Sequence, residues 1–326
     1  MLCDDTFISL ALDVPVTESH IRFSPSTAVR YAVNETAGIW SKVIDLEYCD
    51  RADFVALFSN SKFLRKLSLV LPKTLDGNVI SASLPKDIRI DGTEFVLSYT
   101  WSPLGSAFDV IQRLGSLPER AVAAIIARAV SCLADLHEHG ILHREICSKH
   151  LLLVESSESV QVKLCGFGSA TEYMKNCNFV ARNDIPPIHF SWRGWNVGGN
   201  QSHPMSWYAP EMVAQDFTGY SCPADIYSLG LTIGELFNGV APHENQAASE
   251  ILLEKLCDGG VPKLEKPGNA EPPSLQMSTV YRQCTQRDPS RRPTAQDLLQ
   301  HPWIRWGLEQ SLSRADIVQK EKSTTT

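Results

Sequence analysis

Five short motifs follow one another in one order over about 160 residues of this 326-residue chain, and that order constrains its fold more than any other feature. The first runs from Gly140 to His150 and contains His143-Arg144-Glu145. Thirteen residues after His150 comes Lys163, opening a run that continues through Cys165-Gly166-Phe167-Gly168. The third is Ala209-Pro210-Glu211, preceded by Trp207-Tyr208. The fourth is Ala224-Asp225-Ile226-Tyr227-Ser228-Leu229-Gly230. The last is Arg287-Asp288-Pro289 through Arg291-Arg292-Pro293-Thr294, ending in His301-Pro302-Trp303. A single tripeptide recurs by chance. Five in sequence, at loop-and-helix spacing, specify one scaffold.

The residues before and after about position 101 differ in texture. Val29–Val33, Trp40–Ile44 and Phe95–Leu97 are short β-type runs, with Asn34-Glu35 and Asp91-Gly92 as hairpin signals between such runs. Between them Phe54, Leu57, Phe58, Phe63, Leu64 and Leu67 recur at a helical period, predicting one helix over Asp53–Leu67. Beyond Ser106 the pattern predicts helices over Ser106–Gln112, Pro118–His139, Cys222–Asn238, Ala247–Leu256, Leu275–Arg287 and Thr294–Gln300. Pro118 opens its helix without wasting an N–H, and Gly140 closes it. Irregular stretches are expected at Glu172–Pro204 and Gly259–Ser274. The expected division is a small sheet-rich lobe over 1–101, a mainly helical lobe over 102–313, and a disordered tail over 314–326.

Composition excludes several classes. Hydrophobic residues at 43% and charged residues at 21% are those of a soluble globular protein. A net charge of −7 gives no reason to expect nucleic acid or an anionic membrane as partner. The nine cysteines form no CxxC or Cys/His cluster and read as reduced cytosolic thiols, so no metal is expected. Phe7–Val14 is apolar, but Asp4 and Asp5 precede it where a signal peptide needs basic residues. Ala121–Leu136 is interrupted by Arg128 and Asp135, which fits a buried core helix and not a membrane span.

The five motifs resemble, in order and spacing, the catalytic loop, magnesium loop, Ala-Pro-Glu motif, following-helix Asp and late Arg of protein kinases. The implied fold is α+β and two-lobed. A kinase must hold magnesium, grip phosphates and accept a proton from the substrate hydroxyl. By this alignment the catalytic base, normally Asp, is Glu145, one methylene longer. The magnesium-holding Asn is His150, and an imidazole is a poor ligand for a hard cation. The magnesium-loop Asp is Gly166, so no carboxylate remains there. Gly38 is the one glycine in the first 76 residues, so no glycine-rich phosphate loop is legible. Lys42 aligns with the nucleotide-binding Lys, but Ser61 falls where its helical Glu partner should be. Lys42 is therefore expected to be a solvated surface cation, with cofactor contact the lesser alternative. Glu211 and Arg292 align with a buried ion pair, and Asp225 with the brace of the catalytic loop, so these three are expected to serve the scaffold.

Finer details are similar to the sterile-twenty-related adaptors, the STRAD pseudokinases. They are His150, Gly166, the Leu104–Asp109 run, Ile44–Glu47, and the stretch from Tyr220 through Pro242 to Leu256 and Val261-Pro262. The resemblance implies a catalytically inactive adaptor that binds and allosterically activates a serine/threonine kinase of the liver-kinase-B type, in energy sensing and cell polarity. It implies a cytoplasmic location, open to a nuclear one as well, and a helical-repeat scaffold protein as a third component. The Trp-Glu-Phe motif through which family members dock on that scaffold is missing from Ser323–Thr326, so the tail is not expected to make that contact. Phe190, Trp192 and Trp195 are the expected partner-binding anchors, with Trp207 in the same aromatic-rich segment. No cofactor is expected, beyond weak, metal-independent ATP binding of the kind some family members show. Two other readings stay open: an atypical active kinase using Glu145 as base, and a nucleotide sensor.

Overall fold

The computed structural model describes residues 29–49, 51–73, 79, 81–156, 159–172, 204–214, 220–258, 260–266 and 271–317. Phe190, Trp192 and Trp195 lie outside the described residues. Strands β1 (Val29–Asn34) and β2 (Ile39–Asp45) form a hairpin whose turn is fixed by Asn34. The Asn34 Oδ1 accepts from Thr36 Oγ1 at 2.8 Å and from the Ala37 N–H at 2.9 Å. Helix α1 (Arg51–Val70) follows, then β3 (Asp87–Asp91) and β4 (Glu94–Thr100). The four strands make one antiparallel sheet in the order β1-β2-β4-β3. Helix α1 exceeds the predicted Asp53–Leu67 at both ends, and its Leu57, Leu64 and Leu67 are buried in the main core with Ile44, Phe95 and Leu97.

The second half is mostly helical. Helix α2 (Ala107–Leu114) begins at a capping box in which Ser106 Oγ receives the Asp109 N–H and Asp109 receives the Ser106 N–H. Then come α3 (Glu119–Glu138), β5 (Ile141–Leu142), β6 (Leu151–Glu155), β7 (Val160–Leu164) and β8 (Thr171–Glu172). Strand β5 pairs β8, and β6 pairs β7. Next are α4 (Pro210–Ala214), α5 (Pro223–Asn238), α6 (Ala248–Leu253), α7 (Leu275–Cys284), α8 (Ala295–Gln300), α9 (Pro302–Glu309) and α10 (Arg314–Ile317).

Helix α5 is buried on every side from Ala224 to Phe237, the mark of a central helix. The Ala-rich α3 packs under α9, which sequence reading missed. There a Cβ on Gly307 would stand 2.3 Å from the Ala123 carbonyl oxygen, so only glycine permits the approach. No helix among the described residues is long and apolar enough to cross a membrane.

Two expectations need correction here. Helix α6 stops at Leu253 and gives way to a π-helical turn over Glu254–Asp258, which carries Lys255 into the interior to donate to the Tyr208 carbonyl at 2.7 Å. The tail, expected to be disordered from Arg314, is helical as far as Ile317. Asp316 caps this turn by accepting the Ser313 N–H at 2.8 Å and pairs with Arg120, while Ile317 is buried in the core.

Candidate functional site

The cleft between the sheet and the helical half has a volume of about 410 Å³. Its sheet wall follows from strand periodicity, because Trp40, Lys42 and Ile44 alternate along β2 and all line it. Lys42 is 7% exposed. The expectation of a solvated surface cation is therefore wrong: β2 lies between β1 and β4, pairing Lys42 with Tyr31 and Leu97, and turns the side chain inward. From α1, Leu57, Asn60 and Leu64 line the cleft. Ser61, aligned by sequence with the missing Glu, instead bonds its own helix through Leu57 O at 2.7 Å. None of the three α1 residues lining the cleft is a carboxylate. Trp40 stacks on Tyr99 at 4.5 Å and closes one side.

Across the cleft lies the loop from His143 to His150, and its backbone is braced from below. Asp225, at the start of α5, accepts the His143 N–H at 2.9 Å and the Arg144 N–H at 2.7 Å. Those bonds hold Arg144 at φ +70°, a left-handed conformation that a non-glycine residue keeps only under constraint. The Asp225 carboxylate also meets His137 Nε2 at 2.9 Å. Burial alone would push His137 down, but Asp225, with Cys222 beside it, outweighs burial through hydrogen bonding and charge and raises it to about 9. Burial would likewise raise Asp225, and His137 holds it below the usual carboxylate range. His143 is pushed down to about 4 by burial, with His150 adding to the effect, so its ring is neutral. Its Nε2–H donates to the Cys165 carbonyl at 2.8 Å, and its ring meets Phe167 edge-on at 5.0 Å.

The three altered positions form one unit. His150 Nδ1–H donates to the Glu145 carbonyl, which fixes the ring. A Cβ built on Gly166 would lie 2.5–2.7 Å from the ring atoms Cδ2, Cγ and Nε2 of His150. Gly166 also has φ +81°. The imidazole thus stands where a side chain at position 166 would have to start. Glu145 is buried beside it. The described residues lining the cleft do not fit a magnesium ion. Asp109 is the sole carboxylate among them, and it is committed to the α2 capping box. Among the described residues no group of three His, Cys, Asp or Glu side chains is arranged to hold a metal. Among the described residues lining the cleft, Lys42, Arg113 and Lys149 are the cations, which suits an anion better than a metal.

The scaffold positions are fully engaged. Arg292 makes a two-pronged bond to Glu211, at 2.5 and 2.9 Å. It also donates to the carbonyls of Gln286, Pro223 and Arg287 and lies over the Tyr227 ring. Sequence reading gave no role to Glu235, yet it ties three segments together. From α5 it receives the Ser148 N–H, the Ser148 hydroxyl and Trp207 Nε1–H. Burial pushes it up to about 7. Trp207 is thereby buried in its own lobe and is not an exposed partner anchor. A second acidic residue besides Asp225, in a mostly apolar helix, was the available signal for Glu235.

The His137–Asp225 pair sets a pH dependence. His137 has a folded pKa above its unfolded value near 6.5, so its contribution is complete below pH 6.5 and is lost as pH rises through about 9. The loss amounts to about 3 kcal/mol by linkage. Urea unfolding at pH 6.5 and 9.5 should show it in the native chain and not in His137→Gln. Equal pH slopes in the two would disprove it.

Residues 85–304 match the family model of the protein kinase domain. Three curated relatives place the match. The MAP3K epsilon protein kinase 1 of Arabidopsis thaliana is 30% identical over 226 residues, 68% of this chain and 14% of that protein. The STE20-related kinase adapter protein strd-1 of Caenorhabditis elegans is 28% identical over 238 residues, 67% of this chain and 57% of that protein. The human STE20-related kinase adapter protein alpha is 27% identical over 243 residues, 62% of this chain and 53% of that protein. The chain thus spans about half the length of the two adapters and a small part of the larger kinase.

Proposed function

The chain belongs to the protein kinase domain family, and we propose that within it this protein is an inactive adaptor that binds a partner serine/threonine kinase and shifts it toward its active state. The observation that carries the reading is the His150–Gly166 interlock beside an intact scaffold. The metal-holding chemistry is replaced by a packed imidazole, while the Glu211–Arg292 pair and the Asp225 brace are fully bonded. A fold kept without its chemistry is kept for its surface. The similarity to two STE20-related kinase adapter proteins supports the same role.

The proposed client is a kinase of the liver-kinase-B type, acting in energy and polarity signalling in the cytoplasm, with a helical-repeat scaffold as a further component. Activation follows if the chain binds the client's active state more tightly than its inactive one. No cofactor is required for this, and ATP binding is weak or absent and indifferent to magnesium. The anchors are Phe190, Trp192 and Trp195. Co-precipitation with a purified client kinase domain tests the reading: Trp192→Ala with Trp195→Ala should lose most of the client that the native chain retains. Unchanged retention by the double variant removes the anchors. Failure of the native chain to retain the client removes the adaptor role, and magnesium-dependent phosphotransfer by the chain alone would replace it with an active kinase.

A further inference from the structure

Lys255 is fully buried, and nothing in the adaptor reading uses it. Buried charges are normally paired. Lys255 forms no ion pair among the described residues, and its hydrogen bond goes to the neutral carbonyl of Tyr208 at 2.7 Å. The two carboxylates that bear on it are committed elsewhere. Glu211, from α4, takes both prongs of Arg292. Glu254, on the same turn as Lys255, takes His243 Nδ1 at 3.1 Å and Gln246 Nε2 at 3.0 Å. From α5, the Tyr227 ring lies 5.1 Å from Lys255 Nζ, and the Arg292 guanidinium lies over that same ring at 4.9 Å. Lys255 thus faces a carbonyl, a ring, a second cation, and carboxylates already bonded.

The backbone that carries Lys255 is itself unusual. It is the π-helical turn over Glu254–Asp258, and such turns are rare and recur at functional sites. The turn and α6 together clasp the segment 205–208. Ile251 packs with Met205 and Val213, and Leu252 and Tyr208 lie against them. On its outer side the turn is held by Arg287, which donates to the Leu256 carbonyl. A neutral amine suits this setting, since it keeps the bond to Tyr208 and brings no charge to desolvate. An ammonium does not.

We propose that the π-helical turn is a proton-operated latch: a proton taken up from solvent by the Lys255 amine releases the turn, and α6 with it, from the segment 205–208. The direction of the effect follows from the groups around Nζ. Burial pushes Lys255 down to about 7, with Arg292 adding to it, although Glu211 and Glu254 pull the other way. His243 is pushed down by burial and by Lys255, so it stays neutral above pH 7. Once released into water, a lysine binds its proton with a pKa of about 10.4. The open state therefore holds more protons than the closed one between those two values. Opening grows about tenfold for each unit that the pH falls through this window, and levels off below about 7. The latch is tightest in mild alkali and loosest at and below neutrality.

The test uses the full chain and two readouts. In the chain carrying 13C-labelled lysine, NMR should show the Lys255 Cε titrating about three pH units below the exposed lysines. Amide hydrogen exchange over residues 251–257, corrected for the intrinsic rate, should give an opening constant that falls about tenfold per unit from pH 7 to 9. Lys255→Met fills the same space with nothing to protonate, and its exchange over 251–257 should lose that slope. The titration of the native chain needs no variant, so it decides the matter even where Lys255→Met folds poorly. A Lys255 midpoint near that of the exposed lysines would overturn the latch. So would exchange with no pH slope, an unchanged slope in Lys255→Met, or exchange over 251–257 no faster than in the interior of α5, which would mean that the turn opens only when the whole chain unfolds. No client kinase is present, so failure here leaves the adaptor reading standing.

Discussion

Replacing Arg292 by methionine is expected to cost about 3–5 kcal/mol of folding stability, the range for breaking a buried ion pair from one side. The Arg292 side chain is fully buried, and that of Glu211 is 15% exposed. Methionine would fill the stem but leave the Glu211 carboxylate unpaired, together with the carbonyls of Gln286, Pro223 and Arg287. A domain has about 5–15 kcal/mol in total, so the variant should stand near the edge of folding. Glu211→Gln should cost less, because an amide still accepts from the guanidinium and the arginine keeps its three carbonyls. Urea unfolding of the native chain and both variants measures this. A loss under about 1 kcal/mol for Arg292→Met would mean that the pair is incidental to the fold.

Gly166→Asp is expected to cost about 2–4 kcal/mol when His150 is present and about 1 kcal/mol when it is replaced by asparagine. The first figure combines overpacking with left-handed backbone strain, and the second keeps the strain alone. The overlap is with ring atoms of an imidazole pinned to the Glu145 carbonyl, which has little room to turn away. A double-mutant cycle should therefore show a coupling of about 2 kcal/mol between positions 150 and 166. Additivity would show that the ring moves aside freely. The triple variant Glu145→Asp, His150→Asn, Gly166→Asp should still fail to transfer phosphate, since the position aligned with the helical Glu remains Ser61 and catalytic parts that act as a unit are not recovered one piece at a time.

The helical half was legible because its signals are local: Pro118 opening α3 and Gly140 closing it each act within one turn. The altered positions Glu145, His150 and Gly166 were legible one at a time. Their interlock was not, because a ring sixteen positions away fills the space of a missing Cβ only in three dimensions. Lys42 was misjudged because solvation was inferred from a lost partner, whereas burial is decided by the strand's position between β1 and β4. Helix α9 was missed because its apolar face is short and its fit depends on Gly307 meeting α3. Glu235 and His137 were missed for a shared reason. Each looks like an ordinary polar residue until the fold brings Ser148, Trp207 or Asp225 against it.

In the proposed role this chain activates another kinase without transferring phosphate itself. The direct measurement is the turnover rate of a purified liver-kinase-B-type catalytic domain, on its own substrate, with and without saturating amounts of this chain. The chain should be used as the native protein and as Gly166→Asp/His150→Asn. Allosteric coupling of ordinary size gives an increase of about 5–150-fold, and the variant should activate as well as the native chain because its binding surface is unchanged. Tight binding with an unchanged client rate would contradict the claim and leave only a tether.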